Sequence, residues 1–158
     1  MRRKDREITD KAELLDILRR CDTVRLGMVS EGEPYVVPLS FGVEEEENGS
    51  IAIYFHCAQS VRKVQALQQQ PRVCIEGDIF YKTEPTRHGI TTRYESIIGF
   101  GTAEQVDGPE LRRGLESILR HYGYDSYPVD SCKYLPVTAV YKITLSTLSG
   151  KRNLPEEA

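Results

Sequence analysis

The sequence predicts a mainly β protein in which six antiparallel strands form a small closed or half-closed barrel, with three helices at its periphery. Three observations carry that expectation. Apolar and polar residues alternate in segment after segment, at the period of two that marks a strand packed on one face. Hairpin-type turn signals, Glu31-Gly32 and Asn48-Gly49, join several segments, and most joins are too short for the crossovers a parallel sheet needs. Only three stretches carry the 3.6-residue stripe of a helix.

Taken in order, the elements read α-βββ-α-ββ-α-β. Asp10 with Glu13 makes an N-cap pair ahead of a helix to Cys21, whose stripe is Leu14, Leu15, Ile17, Leu18 and Cys21. Val24, Leu26 and Met28 then alternate as a first strand, and Tyr35 to Val43 reads as a second, with Pro38 marking a bulge or an edge. The run Glu44 to Glu47 before Asn48-Gly49 reads as a solvated loop. Ser50 to His56 is a third strand, with Ile51, Ile53 and Phe55 on one face and Ala52, Tyr54 and His56 on the other. A short helix follows from Ser60, its expected cap, to Gln69, stopped by Pro71. Val73 to Ile79 and Thr92 to Val106 are strands, the second bent at Gly99 or Gly101, and residues 80–91 between them have loop composition. A helix opens near Asp107-Gly108-Pro109 with Leu111, Leu115, Ile118, Leu119 and Tyr122 on its stripe. After a Tyr-rich loop and a helical turn near Ser131 to Leu135, Val137 to Leu148 is the last strand. No linker divides the chain, so residues 1–158 are expected to form one domain.

Composition narrows the function. With 21 Lys and Arg against 24 Asp and Glu, the net charge of −3 lacks the basic density of a nucleic-acid binder. No apolar run approaches a membrane span, and the basic start Met1 to Glu7 lacks a signal peptide's apolar core, so a cytoplasmic protein is expected. Cys21, Cys57, Cys74 and Cys132 stand far apart with no C-x-x-C spacing, which argues for small structural thiols and against a metal site. Phosphate-loop, nucleophile-elbow and zinc-protease motifs are all missing, and three His supply little acid–base machinery. Chemistry on this chain is therefore expected to come from a bound cofactor.

Two segments suit such a cofactor. Tyr35 to Gly42 is a proline-broken strand whose unpaired backbone groups could meet the polar edge of a flat heterocycle; taken alone, it is equally an edge strand protected by proline. Tyr54 to Lys63 ends a strand in an aromatic pair plus His56 and opens a helix with Ser60, Arg62 and Lys63. Those cations read either as a phosphate anchor or as a solvated helix face, and His56 either as a reactive group or as a structural histidine.

The segments Pro34 to Gly42, Tyr54 to Ala58 with Lys63 downstream, and Arg93 to Ala103 resemble the pyridoxamine 5′-phosphate oxidase-like flavoproteins, and within them the Nim-type 5-nitroimidazole resistance branch. The opening Met1 to Ile8 is similar to that branch too. The resemblance implies a six-stranded antiparallel split β-barrel that forms a homodimer, with FMN (or FAD) at the subunit interface. By position, Val36, Val37, Pro38, Leu39, Ser40 and Phe41 would lie along the isoalloxazine, with Phe55 close by. Lys63, with Ser60 and Arg62, would hold the phosphate, and Tyr94 and Ser96 would come from the second subunit. His56 would stand beside the flavin where substrate binds, as the one catalytic candidate. The implied activity is reduction of a small electron-poor, nitroaromatic-like substrate with NAD(P)H as donor. A non-catalytic flavin- or haem-binding module is the alternative. Cys57 departs from the glycine the branch often has, which would crowd the site or add a thiol. Residues 80–91 and Tyr122 to Tyr127 carry no family motif and are expected to hold substrate selectivity.

Overall fold

The computed structural model describes residues 3–87 and 89–155. Its strands are β1 (Glu7–Ile8), β2 (Val24–Ser30), β3 (Glu33–Leu39), β4 (Gly42–Glu45), β5 (Ile51–Ala58), β6 (Arg72–Thr86), β7 (Gly89–Val106) and β8 (Thr138–Asn153). The helices are α1 (Lys11–Arg20), α2 (Arg62–Gln69) and α3 (Gly108–His121). All pairings are antiparallel, in the order β3-β2-β6-β7-β8-β5-β4, with β1 added to β8. The barrel is therefore split: β3 and β4 end the sheet on opposite sides, and Ser40-Phe41 joins them where no ladder does.

The expected six strands become eight because β1 is added and the segment 35–43 breaks in two. Pro38 offers no N–H, and Phe41 turns its ring fully into the core against His121, centroids 4.2 Å apart. The break is clamped. The Phe41 N–H donates to Tyr122 Oη at 3.3 Å, and that hydroxyl donates to the Asp22 carbonyl at 2.9 Å. Gly42 passes so close beneath α3 that a Cβ there would lie 2.5 Å from the Ile118 nitrogen.

Residues 80–91 are not a loop. β6 and β7 continue through them as a two-stranded ribbon, paired from Lys82↔Arg93 to Thr86↔Gly89 after a bulge at Phe80/Lys82. Because the ribbon stands clear of the core, both its faces meet solvent, Phe80 and Ile90 included, and no inward face sets up an alternation; Arg93 and Lys82 pair with Glu84 across and along it. The acidic run also differs from the expected solvated loop. Glu44 and Glu45 lie in β4, and Glu44, Glu45 and Glu46 pair with Arg120, Lys11 and Arg113 respectively. Ser60 does not cap α2: Val61 holds that place, with no side-chain hydrogen bond. Asp10 does cap α1, accepting from the Glu13 N–H at 2.9 Å.

Two apolar clusters organise the molecule. Inside the barrel, Leu14, Ile17 and Leu18 of α1 pack with Leu26, Ile53, Phe55, Ile75, Ile97 and Ile143. Outside it, α3 lays Ile118 on Ala52, Tyr54 and Val140. β5 is thus buried on both faces, which explains why five successive residues, Ile51 to Phe55, are shut from solvent. The expected division of its faces holds, and it leaves His56 on the α3 side as the strand emerges.

Candidate functional site

β3 is an end strand, so one edge of its backbone has no ladder partner among the described residues. Along it Val36 and Pro38 face outward, Val36 with 60% of its surface exposed, while Tyr35 and Val37 lean on the core. Ser40 is exposed at the break. Leu39, Phe41 and Phe55, all expected at a cofactor, have buried side chains; Phe55 stacks on Tyr141 inside the barrel at 5.3 Å. At those three positions only backbone is offered to a ligand.

α2 brings its cations to the same end. Arg62 Nε donates to the buried Ser30 Oγ at 3.0 Å, and its guanidinium lies 4.4 Å from the Tyr35 ring centroid. The helix start is thereby riveted to the β2–β3 hairpin. Arg62 is a strut first, with little freedom left to move. Lys63, half-buried, has no carboxylate partner among the described residues, and its charge is felt at both His56 and Cys57. With no side chain capping α2, its first N–H groups and Lys63 together make a cradle that fits a phosphate. Ser60 stands exposed beside it.

His56 pairs in register with Val140 and sits at the rim of a hollow of about 270 Å³. Leu115, Ile118 and Leu119 of α3 form one wall, and Tyr127, Cys132 and Tyr134 the other. Part of the imidazole reaches solvent, yet the walls desolvate it. Desolvation, then the Lys63 charge, push its pKa below the usual histidine value, so it is neutral at pH 7. Cys57 alternates inward and packs against the barrel core, so it does not crowd His56; burial raises its pKa and keeps it a thiol.

Tyr94 and Ser96 are not brought to this end. They lie on the outward face of β7, opposite Phe80 and Asp78, with Lys151 Nζ 5.9 Å from the Tyr94 ring. On that face Val36, Gly27, Cys74 and Phe100 stand in one cross-strand row. Tyr94 is six residues beyond Phe100 on β7, and Ser30 three residues beyond Gly27 the other way, which places Arg62 and Tyr94 roughly 30 Å apart along the strands. Val29, Val36, Ile98 and Phe100 leave this sheet face apolar and open, each more than 40% exposed.

Two features were not read from the sequence. Tyr35 and Ser30 as the seat of Arg62 carry no sequence signal, since residues 27 and 32 positions away supply them. The wall of the His56 hollow was legible only as a cluster of tyrosines without a period. Among the described residues, no group of His, Cys, Asp and Glu could hold a metal ion, and no helix is long and apolar enough to cross a membrane.

Comparison with known proteins bears on the family and the fold. The family model described as pyridoxamine 5′-phosphate oxidase matches residues 10–152. A solved structure from Bacteroides thetaiotaomicron VPI-5482, provisionally named a 5-nitroimidazole antibiotic resistance protein, is 29% identical with a TM-score of 0.81, over 92% of this chain and 85% of that one. The flavocytochrome Anf3 of Azotobacter vinelandii (20% identity, TM-score 0.76, 98% of this chain and 72% of that one) shares the fold. So does the FAD and heme binding protein of Mycobacterium smegmatis (18%, TM-score 0.78, 97% and 77%). No curated protein sequence matches.

Proposed function

The chain belongs to the pyridoxamine 5′-phosphate oxidase family, and from that premise we propose that it is a cytoplasmic, FMN-dependent homodimeric oxidoreductase reducing a small electron-poor, nitroaromatic-like substrate at the expense of NAD(P)H. One observation carries the reading. Arg62 and Lys63, adjacent on α2, tie the open edge of β3 to His56: the first rests on Tyr35, and the charge of the second reaches His56. A flat ring along Val36 to Phe41 would thus have its phosphate tail at Lys63, Ser60 and the start of α2, and a neutral imidazole beside it. Phe55 contributes from beneath through backbone, its ring being buried.

FMN, when bound, supplies hydride chemistry. The protein's part is to hold the phosphate through Lys63, to keep β3 backbone groups directed at the polar ring edge, and to orient substrate at His56. A neutral imidazole would donate a hydrogen bond from one ring nitrogen to an acceptor substituent, and a proton passed on there would be replaced at the other nitrogen from the solvent that part of the ring reaches. The open apolar sheet face supports the dimer part of this reading. A twofold copy laid against it would cover Val36, Ile98 and Phe100 and carry the partner's Tyr94 and Ser96 toward Val36 and Pro38, closing the gap one chain leaves.

The test begins with an absorbance spectrum after incubation with excess FMN, followed by anaerobic NADH or NADPH. A flavin spectrum that either donor bleaches and a nitroaromatic restores is the expected result. A colourless protein refutes the reading. The second reading, a non-catalytic flavin- or haem-binding module, has one feature in its favour: the His56 imidazole makes no hydrogen bond to the described residues, as one that holds a ligand would. It predicts a bound-cofactor spectrum that neither donor bleaches.

A further inference from the structure

We propose that the hollow between α3 and residues 127–138 is a binding slot for a single uncharged aromatic ring, with His56 at its polar rim and Leu119 and Tyr134 as its size and stacking determinants. The inference rests on the oxidoreductase reading and names the substrate class of that site. Its first support is size. At about 270 Å³ the hollow falls just below the range of roughly 300–1,000 Å³ for drug-sized ligands, so it admits one ring and not a flavin. The second is its lining. Leu115, Ile118 and Leu119 are apolar, Tyr127 and Tyr134 add aromatic side chains, and among the described residues no carboxylate lines it.

The third support is electrostatic. A cation entering the hollow would lose its hydration, meet no counter-charge there and be repelled by Lys63, whose field already reaches His56. A neutral ring bearing a hydrogen-bond acceptor avoids all three costs, and the His56 N–H is the donor at the rim. Tyr134, 75% exposed, is held by little else: its carbonyl accepts from Thr138 Oγ1 at 2.8 Å while its ring stands out from the chain. A ring stacked beneath it would give that exposed tyrosine a packing partner.

Cys132 lines the slot and reports its occupancy. Full-length protein with FMN added is alkylated with iodoacetamide, and each cysteine is followed by peptide mass spectrometry. The probes are 4-nitrobenzyl alcohol, neutral, and 4-nitrobenzylamine, a cation. At about ten times its dissociation constant the alcohol leaves about a tenth of the slots empty, so Cys132 alkylation slows about tenfold while that of a cysteine peptide added to the mixture is unchanged. The amine gives no protection. Leu119→Trp fills the slot and abolishes protection with FMN uptake unchanged, and the surface variant Tyr134→Ala weakens the alcohol by about three- to tenfold. Unprotected Cys132 in a chain that binds FMN overturns the slot, as does equal protection by the amine. Protected Cys132 in a chain that never binds FMN supports the slot and refutes the flavin reading instead.

Discussion

Lys63→Gln separates the phosphate from the rest of the cofactor. Lys63 is half-buried and has no carboxylate partner among the described residues, so its charge is free for a ligand and only partly screened by water. A fully exposed ion pair would contribute about 0–1 kcal/mol. A charge-assisted hydrogen bond at a half-buried site supported by free helix N–H groups contributes about 1.5–3 kcal/mol, or roughly 10- to 150-fold in affinity. FMN should therefore bind Lys63→Gln weaker by that factor. Riboflavin, the same ring without phosphate, should bind both proteins alike. Titration of each flavin by fluorescence quenching gives the two ratios. The same variant carries a second, independent signature. Burial and Lys63 both depress the His56 pKa, so removing Lys63 should move it up toward the ordinary histidine value, visible in the imidazole proton shifts of flavin-free protein. An equal loss for FMN and riboflavin would refute the phosphate assignment, and an unmoved His56 titration would refute the coupling.

Other perturbations probe the frame that holds the site. Gly42→Ala drives a Cβ into the α3 backbone, and overpacking of that kind costs about 1–3 kcal/mol, a fall of roughly 3–10 °C in Tm by calorimetry; an unchanged Tm would mean the β3–β4 corner is not fixed beneath α3. Glu110 accepts from Tyr54 Oη at 2.5 Å and from Lys142 Nζ at 3.0 Å, and these hydrogen bonds, Tyr54 first, hold its pKa below the usual value of 4.5. A depressed folded-state pKa contributes stability above the unfolded value and loses it as pH falls through the folded one, so wild type should lose stability relative to Glu110→Gln as acid is added below about pH 4.5. Parallel curves in acid melts would rule the network out. Phe100→Glu places a charge at the centre of the open apolar sheet face; if the proposed dimer forms there, light scattering should show the variant as a monomer, with FMN binding lost alongside, and a wild type that binds FMN as a monomer would sink the shared-site proposal.

How far the site could be read before the fold was known depends on where each residue's partners lie in the chain. The Asp10 cap, the α1 stripe and the two faces of β5 are local patterns, and each appears where the periodicity put it. The α3 helix forms where expected but turns a different face inward: Gly114, passing close over Tyr54 and Val140, is buried with Ser117 and Ile118, while Leu111, Leu115 and Leu119 stay half-buried and Tyr122 is exposed. The ribbon at 80–91 escaped because its partners are across a hairpin and both its faces are wet, which removes the alternation that marks a strand. Ser60 looked like a cap by residue type, but the chain enters α2 one residue later, and Val61 takes the place without a hydrogen bond. Arg62 looked like a free cation, and only packing against the hairpin shows it committed to Tyr35 and Ser30.

The mild negative charge, the periodicities and the resemblance to flavoproteins were thus sufficient, by themselves, to determine a mainly antiparallel β barrel with peripheral helices and to single out Val36 to Phe41, His56 and Lys63. These properties depend on residue type and short spacing, which the chain carries before it folds. What tertiary structure alone decided is which of those side chains remain available. Folding buries Leu39, Phe41 and Phe55, sets Arg62 against Tyr35, leaves Lys63 with no carboxylate partner among the described residues, walls His56 with α3, and sets Tyr94 and Ser96 at the far end of the sheet. Availability is a property of neighbours distant in sequence, and no local pattern encodes it.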